Sequence, residues 1–287
     1  MSIPVIALWT GQGAQKPGMG IHEAQGSPEF AAHWNRLHAL YHHISGDDIL
    51  TVITEGQDQI HQTRYAQPAL CIYELAQGYV RTDTCHITAH IGHSVGEYAA
   101  AIFAQVMSEE EGLWLLYHRA RLMQSCPVNT TGMCALMCNE SEAQSLLVEY
   151  PEIDIAGINH QKQTCISGPC DSLARLLESK SIRGIRLPVS HGFHSRAMAP
   201  IIDEFRSYAS QVSYLAAQQP LYNNITGDEK THFDSDYWCQ QIISPVRFLD
   251  CVTSASHHQS CTFVEFGPQE TLSRMIKKIN PLLCTQY

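Results

Sequence analysis

The chain has 287 residues, 44% of them hydrophobic, which is enough to bury a sizeable core as one domain or as one domain with an insert. Its 18 basic and 28 acidic residues give a net charge of −10. No block of lysine or arginine occurs, so the electrostatic signature of a nucleic-acid or anionic-lipid partner is missing. No apolar run reaches the roughly 18 residues that a membrane span requires. We therefore expect no nucleic-acid partner and no membrane segment.

The eleven cysteines are scattered from Cys71 to Cys284 and form no Cys-x-x-Cys pair. That distribution argues against both a disulfide framework and a zinc ribbon. The first residues, MSIPVIALWTGQG, contain an apolar run with no basic segment before it, which favours a buried strand over a signal peptide. We expect a protein of the reducing cytoplasm, and we expect it to be a monomer.

The first 130 residues alternate between strand and helix patterns. Ser27 followed by Pro28 is typical of a helix start, and Ser108 with Glu111 forms a capping box. A strand, a glycine turn and a helix of small apolar residues together indicate an α/β core with a mostly parallel sheet. The predicted strands are 4–9 and 86–91, and the predicted helices open at Ser27, Tyr65, Gly96 and Ser108, the third of them running to Val106.

Shorter elements follow in the order βαββαβ, which is that of a ferredoxin-like unit. The predicted strands are 133–137, 153–158, 163–167 and 184–189, with helices at 140–150 and 171–179. Longer elements then return: helices at 198–211 and 237–243, strands at 220–223 and 262–266, and a last helix through Leu272 and Ile276. We therefore predict an α/β fold, with a hydrolase-like large subdomain of residues 1–130 and 191–287 and an inserted ferredoxin-like small subdomain of residues 131–190.

The segment GHSVGEYAA contains the pattern G-x-S-x-G at Gly92, Ser94 and Gly96, between a predicted strand and a predicted helix. Glycines on both sides relieve crowding at a corner tight enough to expose the serine hydroxyl. The following helix presents free NH groups and the positive end of its dipole to an oxyanion formed there. The pattern predicts that Ser94 is a nucleophile; the alternative is a serine in an ordinary glycine turn.

A nucleophilic serine needs a base, and three histidines are candidates. His93 is adjacent in sequence, but its side chain should point away from that of Ser94. His191 and His194 lie where the insert rejoins the core, so a loop there can reach the serine, and the pattern does not choose between them. A metal site is not expected, because strand residues four apart, such as His86 and His90, lie roughly 13 Å from each other.

One charge stands in an apolar position. Arg119 lies three residues after Leu116 and four before Met123, within the apolar stripe of the helix that Ser108 starts. A charge placed there needs a partner.

Taken together, the motifs resemble those of the malonyl-CoA:acyl-carrier-protein transacylase family, which includes the acyltransferase domains of polyketide synthases. The resemblance covers nearly the whole chain. It is carried by GQGAQ at 11–15, QPA at 67–69, GHSVGE at 92–97, Arg119 before LMQ at 122–124, Asn159 and Gln163 before ISG at 166–168, FHS at 193–195, SPV at 244–246 and EFGP at 265–268.

This resemblance implies a role for each of several residues. Ser94 would be the acylated nucleophile, His194 its base, and Arg119 the partner of a malonyl carboxylate. The remaining implied roles are an oxyanion hole from the backbone NH groups of Gln12 and Val95, orientation of the histidine by Gln241, and a pocket lined by His93, Met123, Asn159 and Phe193. A bulky Phe193 would leave little room for an α-methyl branch, which favours malonyl selection.

The implied reaction is transfer of a malonyl group from malonyl-CoA, through an acyl-serine, to the phosphopantetheine thiol of an acyl carrier protein. No cofactor and no metal are implied. Because carrier proteins are usually acidic, we expect a local basic patch beside the cleft. Three rivals remain: an acyl hydrolase of the same fold, a catalytically dead docking module, and transfer of another acyl group. Three departures, Thr10 for proline, Ala14 for serine and Gly192 for alanine, suggest a relative from specialised metabolism.

Overall fold

A computed structural model describes residues 3–82, 84–179, 182–256 and 261–287. The strands are β1 (Val5–Trp9), β2 (Ile87–Gly92), β3 (Thr131–Leu136), β4 (Asp154–His160), β5 (Gln163–Pro169), β6 (Gly184–Arg186), β7 (Leu221–Tyr222), β8 (Thr262–Phe266) and β9 (Cys284–Gln286). The helices are α1 (Ile21–Gly26), α2 (Pro28–Ser45), α3 (Ile49–Glu55), α4 (Thr63–Arg81), α5 (Gly96–Phe103), α6 (Glu109–Ser125), α7 (Glu140–Leu147), α8 (Cys170–Glu178), α9 (Ile202–Ala209), α10 (Ser235–Ile243), α11 (Phe248–Ser256) and α12 (Leu272–Ile279). Two 3₁₀ helices lie at Gln57–His61 and Arg196–Ile201.

The larger sheet is parallel and buried on both faces. Its strand order is β7-β2-β1-β8-β9, and every pairing in it is parallel. Successive residues of the central strand β1 point to opposite faces: Ala7 and Trp9 pack into one apolar core, and Ile6 and Leu8 pack into the other. Helices cover both cores, as a parallel sheet requires.

The smaller sheet is antiparallel, with strand order β4-β5-β3-β6. Helices α7 and α8 cover one of its faces through a separate apolar core that includes Leu136, Ile166 and Leu176. This arrangement confirms the predicted α/β fold with a ferredoxin-like insert. All four strands lie within residues 131–190; the subdomain boundaries themselves stay a prediction, and residues 1–2, 83, 180–181 and 257–260 of the predicted ranges lie outside the described residues.

Several predicted elements were too long. The helix predicted to reach Val106 ends at Phe103, because Gln105 adopts a left-handed backbone with φ of 59°. The helix predicted at 198–211 is instead a 3₁₀ turn containing Pro200 followed by α9, since proline cannot donate the backbone hydrogen bond of a continuous α-helix. The strand predicted at 184–189 ends at Arg186; one more backbone hydrogen bond, from Leu187 to Met133 of β3, follows it, and the NH of Val189 then bonds Leu187 instead of β3.

Other elements were missed or began earlier than predicted. Helix α4 starts at Thr63 rather than Tyr65 and includes Pro68, which removes only one hydrogen bond near the helix start. Sequence patterns missed α1, α3 and α11, and also the three-residue strand β9, which pairs with β8. Within the described ranges, none of the helices has the length and apolarity needed to cross a bilayer.

Candidate active site

Ser94 lies at the corner between β2, which ends at Gly92, and α5, which begins at Gly96. Its backbone is left-handed, with φ of 55°, a conformation that costs free energy for a residue other than glycine. A Cβ atom on Gly92 would overlap the backbone of Glu97, and one on Gly96 would overlap the carbonyl oxygen of Trp9. Both glycines are therefore required by contact with neighbouring backbone.

The Ser94 hydroxyl oxygen lies 2.6 Å from Nε2 of His194. The other ring nitrogen, Nδ1, lies 3.1 Å from the carbonyl oxygens of both Gln241 and Ser244. Because carbonyl oxygens only accept hydrogen bonds, Nδ1 carries the proton and Nε2 presents its lone pair to Ser94. The pKa of His194 is lowered to about 3, chiefly by burial and then by the charges of Arg119 and His93. The imidazole is thus a neutral base at physiological pH.

The other candidate histidines make separate contacts. Nε2 of His191 lies 2.9 Å from the carbonyl oxygen of Cys126, and Nε2 of His93 lies 3.0 Å from Oδ1 of Asn159. His90 is bonded to Trp9 and to a glutamine side chain. No cluster of three metal-ligating side chains occurs in the described part of the chain.

The predicted oxyanion hole consists of backbone NH groups, and its geometry is compatible with that role. Among the described residues, no acceptor pairs with the NH of Gln12 or with that of Val95. Val95 directly precedes the first turn of α5, whose dipole favours negative charge at this end. The side chain of Gln12 is held by Thr63 and Gln67, which fixes the loop.

Arg119 is fully buried on α6, yet it forms no ion pair with a carboxylate among the described residues. Its Nη1 donates to Oε1 of Gln67 at 2.7 Å, and its Nη2 donates to Oε1 of Gln241 at 3.4 Å. Its Nε has no acceptor within the described ranges, and its guanidinium carbon lies 5.4 Å from the ring centre of Tyr98. Burial lowers the pKa of Arg119, opposed by Tyr98 and Glu97. The side chain is a buried cation whose hydrogen bonds go only to neutral amides.

A cavity of about 280 Å³ adjoins Ser94 and His194. The predicted pocket residues His93, Met123, Asn159 and Phe193 all line it, as does Gln12. Arg119 does not line it, but its hydrogen-bond partner Gln67 does. The wall opposite the serine comes mostly from the small sheet and is apolar; its residues include Met133, Ala135, Ala156, Gly157 and Cys165. A larger, more open depression of about 810 Å³ lies elsewhere, around Tyr79, His86 and Phe103.

The main-chain carbonyl oxygen of Gln241, and not its side chain, orients His194. The main-chain carbonyl oxygen of Ser244 does the same. The Gln241 side chain instead donates to the carbonyl oxygen of Ser94 at 2.8 Å. Sequence analysis missed Ser244 and also Asn224, whose Oδ1 accepts the NH of Ser94 at 2.8 Å. Asn224 follows β7, the strand beside β2, and polar residues at the carboxyl ends of parallel strands are a signal for a site.

Two of the departures from the family pattern have structural causes. A Cβ on Gly192 would lie 2.7 Å from Oγ of Ser167, so the alanine common at this position would not fit without movement. The hydroxyl of Thr10 donates to the buried carboxyl group of Glu74, a contact that proline could not make. Ala14 is buried, and nothing in the structure explains its choice over serine.

Comparison with known proteins identifies the family of the chain. The family model for the acyl transferase domain matches residues 7–280. The chain is 33% identical over 284 residues to polyketide synthase GfsA of Streptomyces halstedii, covering 93% of this chain and 4% of that protein. It is 34% identical over 290 residues to mycoketide-CoA synthase of Mycobacterium tuberculosis, covering 96% of this chain and 7% of that protein. The chain thus spans only a small part of these curated relatives.

Solved structures of acyltransferases have the same fold. The acyltransferase domain from the second module of the salinomycin polyketide synthase superimposes with a TM-score of 0.94 at 30% identity, covering 100% of this chain and 68% of that one. An acyl carrier protein S-malonyltransferase from Vibrio cholerae superimposes with a TM-score of 0.89 at 26% identity, covering 99% and 96%. The chain therefore belongs to the acyl transferase domain family, the type of acyltransferase that malonyltransferases and polyketide synthases share.

Proposed function

We propose that this acyltransferase moves a malonyl group from malonyl-CoA to the phosphopantetheine thiol of an acyl carrier protein, with Ser94 as the acylated nucleophile. The observation that carries the proposal is the 2.6 Å contact between Ser94 and a neutral His194, next to a buried arginine that lacks a carboxylate partner. We place the reaction in polyketide or fatty-acid synthesis, in the cytoplasm. That location is supported by all eleven cysteines, each of them described and unpaired.

In the first half-reaction, Nε2 of His194 takes the Ser94 proton as the hydroxyl oxygen attacks the thioester carbonyl. The backbone NH groups of Gln12 and Val95 stabilise the resulting oxyanion. When the C–S bond breaks, the coenzyme A sulfur leaves with the proton from His194. In the second half-reaction the carrier thiol gives its proton to His194 and attacks the malonyl-serine, and Ser94 leaves with that proton. The chain's own groups suffice for both halves, so we propose that no cofactor is needed.

Arg119 selects for the free carboxylate of the malonyl group. A guanidinium offers two parallel NH donors that match the two oxygens of a carboxylate. Its Nη1 now bonds Gln67, which lines the cavity, so the substrate carboxylate replaces the Gln67 amide oxygen as the acceptor. That exchange gives the buried cation the anionic partner that it lacks.

We propose that Lys162, Lys277 and Lys278 form the expected basic patch beside the cavity. Helix α12 contributes Met275 to the cavity wall and carries Lys277 and Lys278 in its last turn. The turn between β4 and β5 carries Lys162, and it is tied to α12 by a hydrogen bond from Gln161 to the carbonyl oxygen of residue 279. None of the three lysines forms an ion pair with a described residue. These cations support docking of an acidic carrier protein, on a chain whose net charge is −10.

Hydrolysis of the acyl-serine is the main alternative, since the same dyad could activate water. The apolar cavity wall favours transfer, because it offers little to hold a water molecule near the ester. Arg119 also favours transfer, because a general acyl hydrolase has no use for a carboxylate clamp. The docking-module alternative is disfavoured by the intact dyad geometry.

The test is intact-protein mass after mixing the chain with malonyl-CoA, methylmalonyl-CoA or acetyl-CoA, with Ser94→Ala as the matched control. We expect a lasting malonyl adduct that the Ser94→Ala variant lacks, and weaker adducts from the other donors. Rapid release of free malonate without any carrier would establish hydrolysis instead. An adduct that survives in Ser94→Ala would overturn the assignment of the nucleophile.

A further inference from the structure

A buried carboxyl group lies directly behind the Ser94 corner and takes no part in the mechanism above. Glu97 is in the first turn of α5 and is fully buried. Its Oε1 accepts hydrogen bonds from the Tyr237 hydroxyl and, at 2.9 Å, from the backbone NH of Asn224. Its Oε2 accepts one from Nε2 of Gln241 at 3.1 Å. The carboxyl group therefore acts as the acceptor in all three hydrogen bonds.

One of these partners, Asn224, holds the backbone that leads into the serine corner. Its Oδ1 accepts the NH of Ser94 at 2.8 Å, and its Nδ2 donates to the carbonyl oxygen of Gly92 at 2.8 Å. These bonds fix the two peptide groups that lead into a residue whose φ of 55° is unfavourable. Asn224 is in turn anchored at its own NH by Glu97.

The second partner, Gln241, touches three members of the site. Its Nε2 is shared between Glu97 and the carbonyl oxygen of Ser94, 2.8 Å away. Its main-chain carbonyl oxygen accepts from Nδ1 of His194, and its Oε1 accepts from Arg119. The position of this one residue therefore bears on the nucleophile and the guanidinium through its side chain, and on the base through its main chain.

We propose that Glu97 is the positioning residue of the Ser94–His194 pair, acting on the serine through Asn224 and on the histidine through Gln241. In a Ser-His-Asp triad the acid contacts the histidine directly. Here two neutral amides stand between the carboxylate and the reacting pair. The inference rests on the acyl transfer proposed above, and it assigns the source of the pair's geometry.

The ionised form of Glu97 is the one that supports this network. A carboxylate accepts hydrogen bonds at both oxygens, whereas a protonated carboxyl group turns one oxygen into a donor that conflicts with an incoming NH or OH. Burial raises the pKa of Glu97 to about 7, while bonds from Tyr237, Asn224 and Gln241 and the charge of Arg119 act to lower it. The other titratable groups near Glu97 are Tyr98 on its own helix and Cys251 on α11.

The direction of this pKa shift distinguishes a carboxylate that acts on the reaction from one that only stabilises the fold. Because the folded pKa lies above the ordinary value of 4.5, Glu97 stabilises the fold most when neutral, and that contribution is lost as pH rises through about 7. The rate of Ser94 acylation should instead increase as pH rises through the same interval. His194, with its pKa near 3, does not titrate there.

The experiment measures the first-order rate of Ser94 acylation by malonyl-CoA in rapid-quench samples, between about pH 5 and about pH 9. In the wild-type chain we expect the rate to rise through a pKa near 7. The Glu97→Gln variant keeps the size of the side chain but replaces one acceptor oxygen with a donor. We expect it to lose about 100-fold in rate, as small misplacements of reacting groups do, with half-saturation by malonyl-CoA little changed and with no dependence on pH near neutrality.

Tyr237→Phe tests the same point without loss of the carboxylate. It removes the hydrogen bond that most lowers the pKa of Glu97, so the rise in rate should move to higher pH and meet the wild-type rate in alkaline solution. Glu265→Gln is the matched control. Glu265 is equally buried and accepts three backbone NH groups at the start of α12, with no contact to Asn224 or Gln241. It should unfold more readily while its acylation rate and pH profile stay as in the wild type.

The outcomes separate the two proposals. If the wild-type chain takes up no malonyl group, the proposed function fails. If the wild type is acylated normally and Glu97→Gln stays within about twofold of its rate, or if Tyr237→Phe leaves the pH profile in place, the positioning role of Glu97 is wrong and the proposed function stands.

Discussion

The two walls of the active-site cavity come from different sheets and differ in chemistry. The wall at the carboxyl edge of the parallel sheet carries the strained Ser94, a positive-φ His194 and a hydrogen-bonded network of amides and charges behind them. The facing wall, from the antiparallel insert, is mostly apolar and includes Met133 and Cys165. Under the proposed function, one wall performs the reaction, and the other shapes the acyl group and excludes water.

The largest expected effect falls on the reactive wall. His194→Ala removes the base, and acylation by malonyl-CoA should fall on the order of 10⁴-fold or more, as it does when a triad histidine is removed. His191→Asn is the comparison variant, since His191 bonds the carbonyl oxygen of Cys126 and does not contact Ser94. Rapid-quench acylation rates will rank the two. A larger loss in His191→Asn than in His194→Ala would contradict the account.

The second-largest effect is expected at Arg119, the buried cation behind the reactive wall. Arg119→Ala should cost about 2 to 5 kcal/mol in malonyl transfer, the range for removing one partner of a desolvated charge pair. Acetyl transfer should change far less, because an acetyl group has no carboxylate. The measurement is the ratio of kcat/KM for the two donors. If the ratio is unchanged, Arg119 does not bind the substrate carboxylate.

The boundary between the walls is Phe193, which lines the cavity one residue before His194. Phe193→Ala should raise the ratio of methylmalonyl to malonyl transfer by about 10-fold to 200-fold, the usual discrimination against a single added carbon. The rate with malonyl-CoA should fall much less. Competition between the two donors, read by intact mass, checks this. An unchanged ratio would place the selection elsewhere on the apolar wall.

The smallest effect is expected far from both walls. The Ser108 hydroxyl accepts the backbone NH of Glu111 in the capping box that begins α6. Ser108→Ala should lower the free energy of unfolding by about 1 kcal/mol, measured by urea titration. Acylation of Ser94 should be unaffected. A large loss of activity in this variant would show that helix stability, and not the local network, limits the site.

Local signals in the sequence predicted the Ser94 corner and the order of most elements. The glycines around Ser94 and the capping box at Ser108 act over a few residues, so their structural meaning is visible in a short segment. The choice between His191 and His194 is not local, because it depends on where a loop from one sheet meets a corner of the other. The contact between Glu97 and Gln241 joins residues 144 positions apart. The main-chain role of Gln241 was equally hidden, since sequence reports side chains and the histidine is held by a carbonyl oxygen.

The central claim is that Ser94 takes up a malonyl group and passes it to a thiol. The most direct measurement isolates the malonyl-loaded chain, mixes it with an acyl carrier protein bearing phosphopantetheine, and follows both proteins by intact mass. We predict that the malonyl mass leaves Ser94 and appears on the carrier at the same rate, and that it stays on Ser94 when the carrier lacks its phosphopantetheine. Loss of the adduct as free malonate, at one rate with or without the carrier, would contradict it.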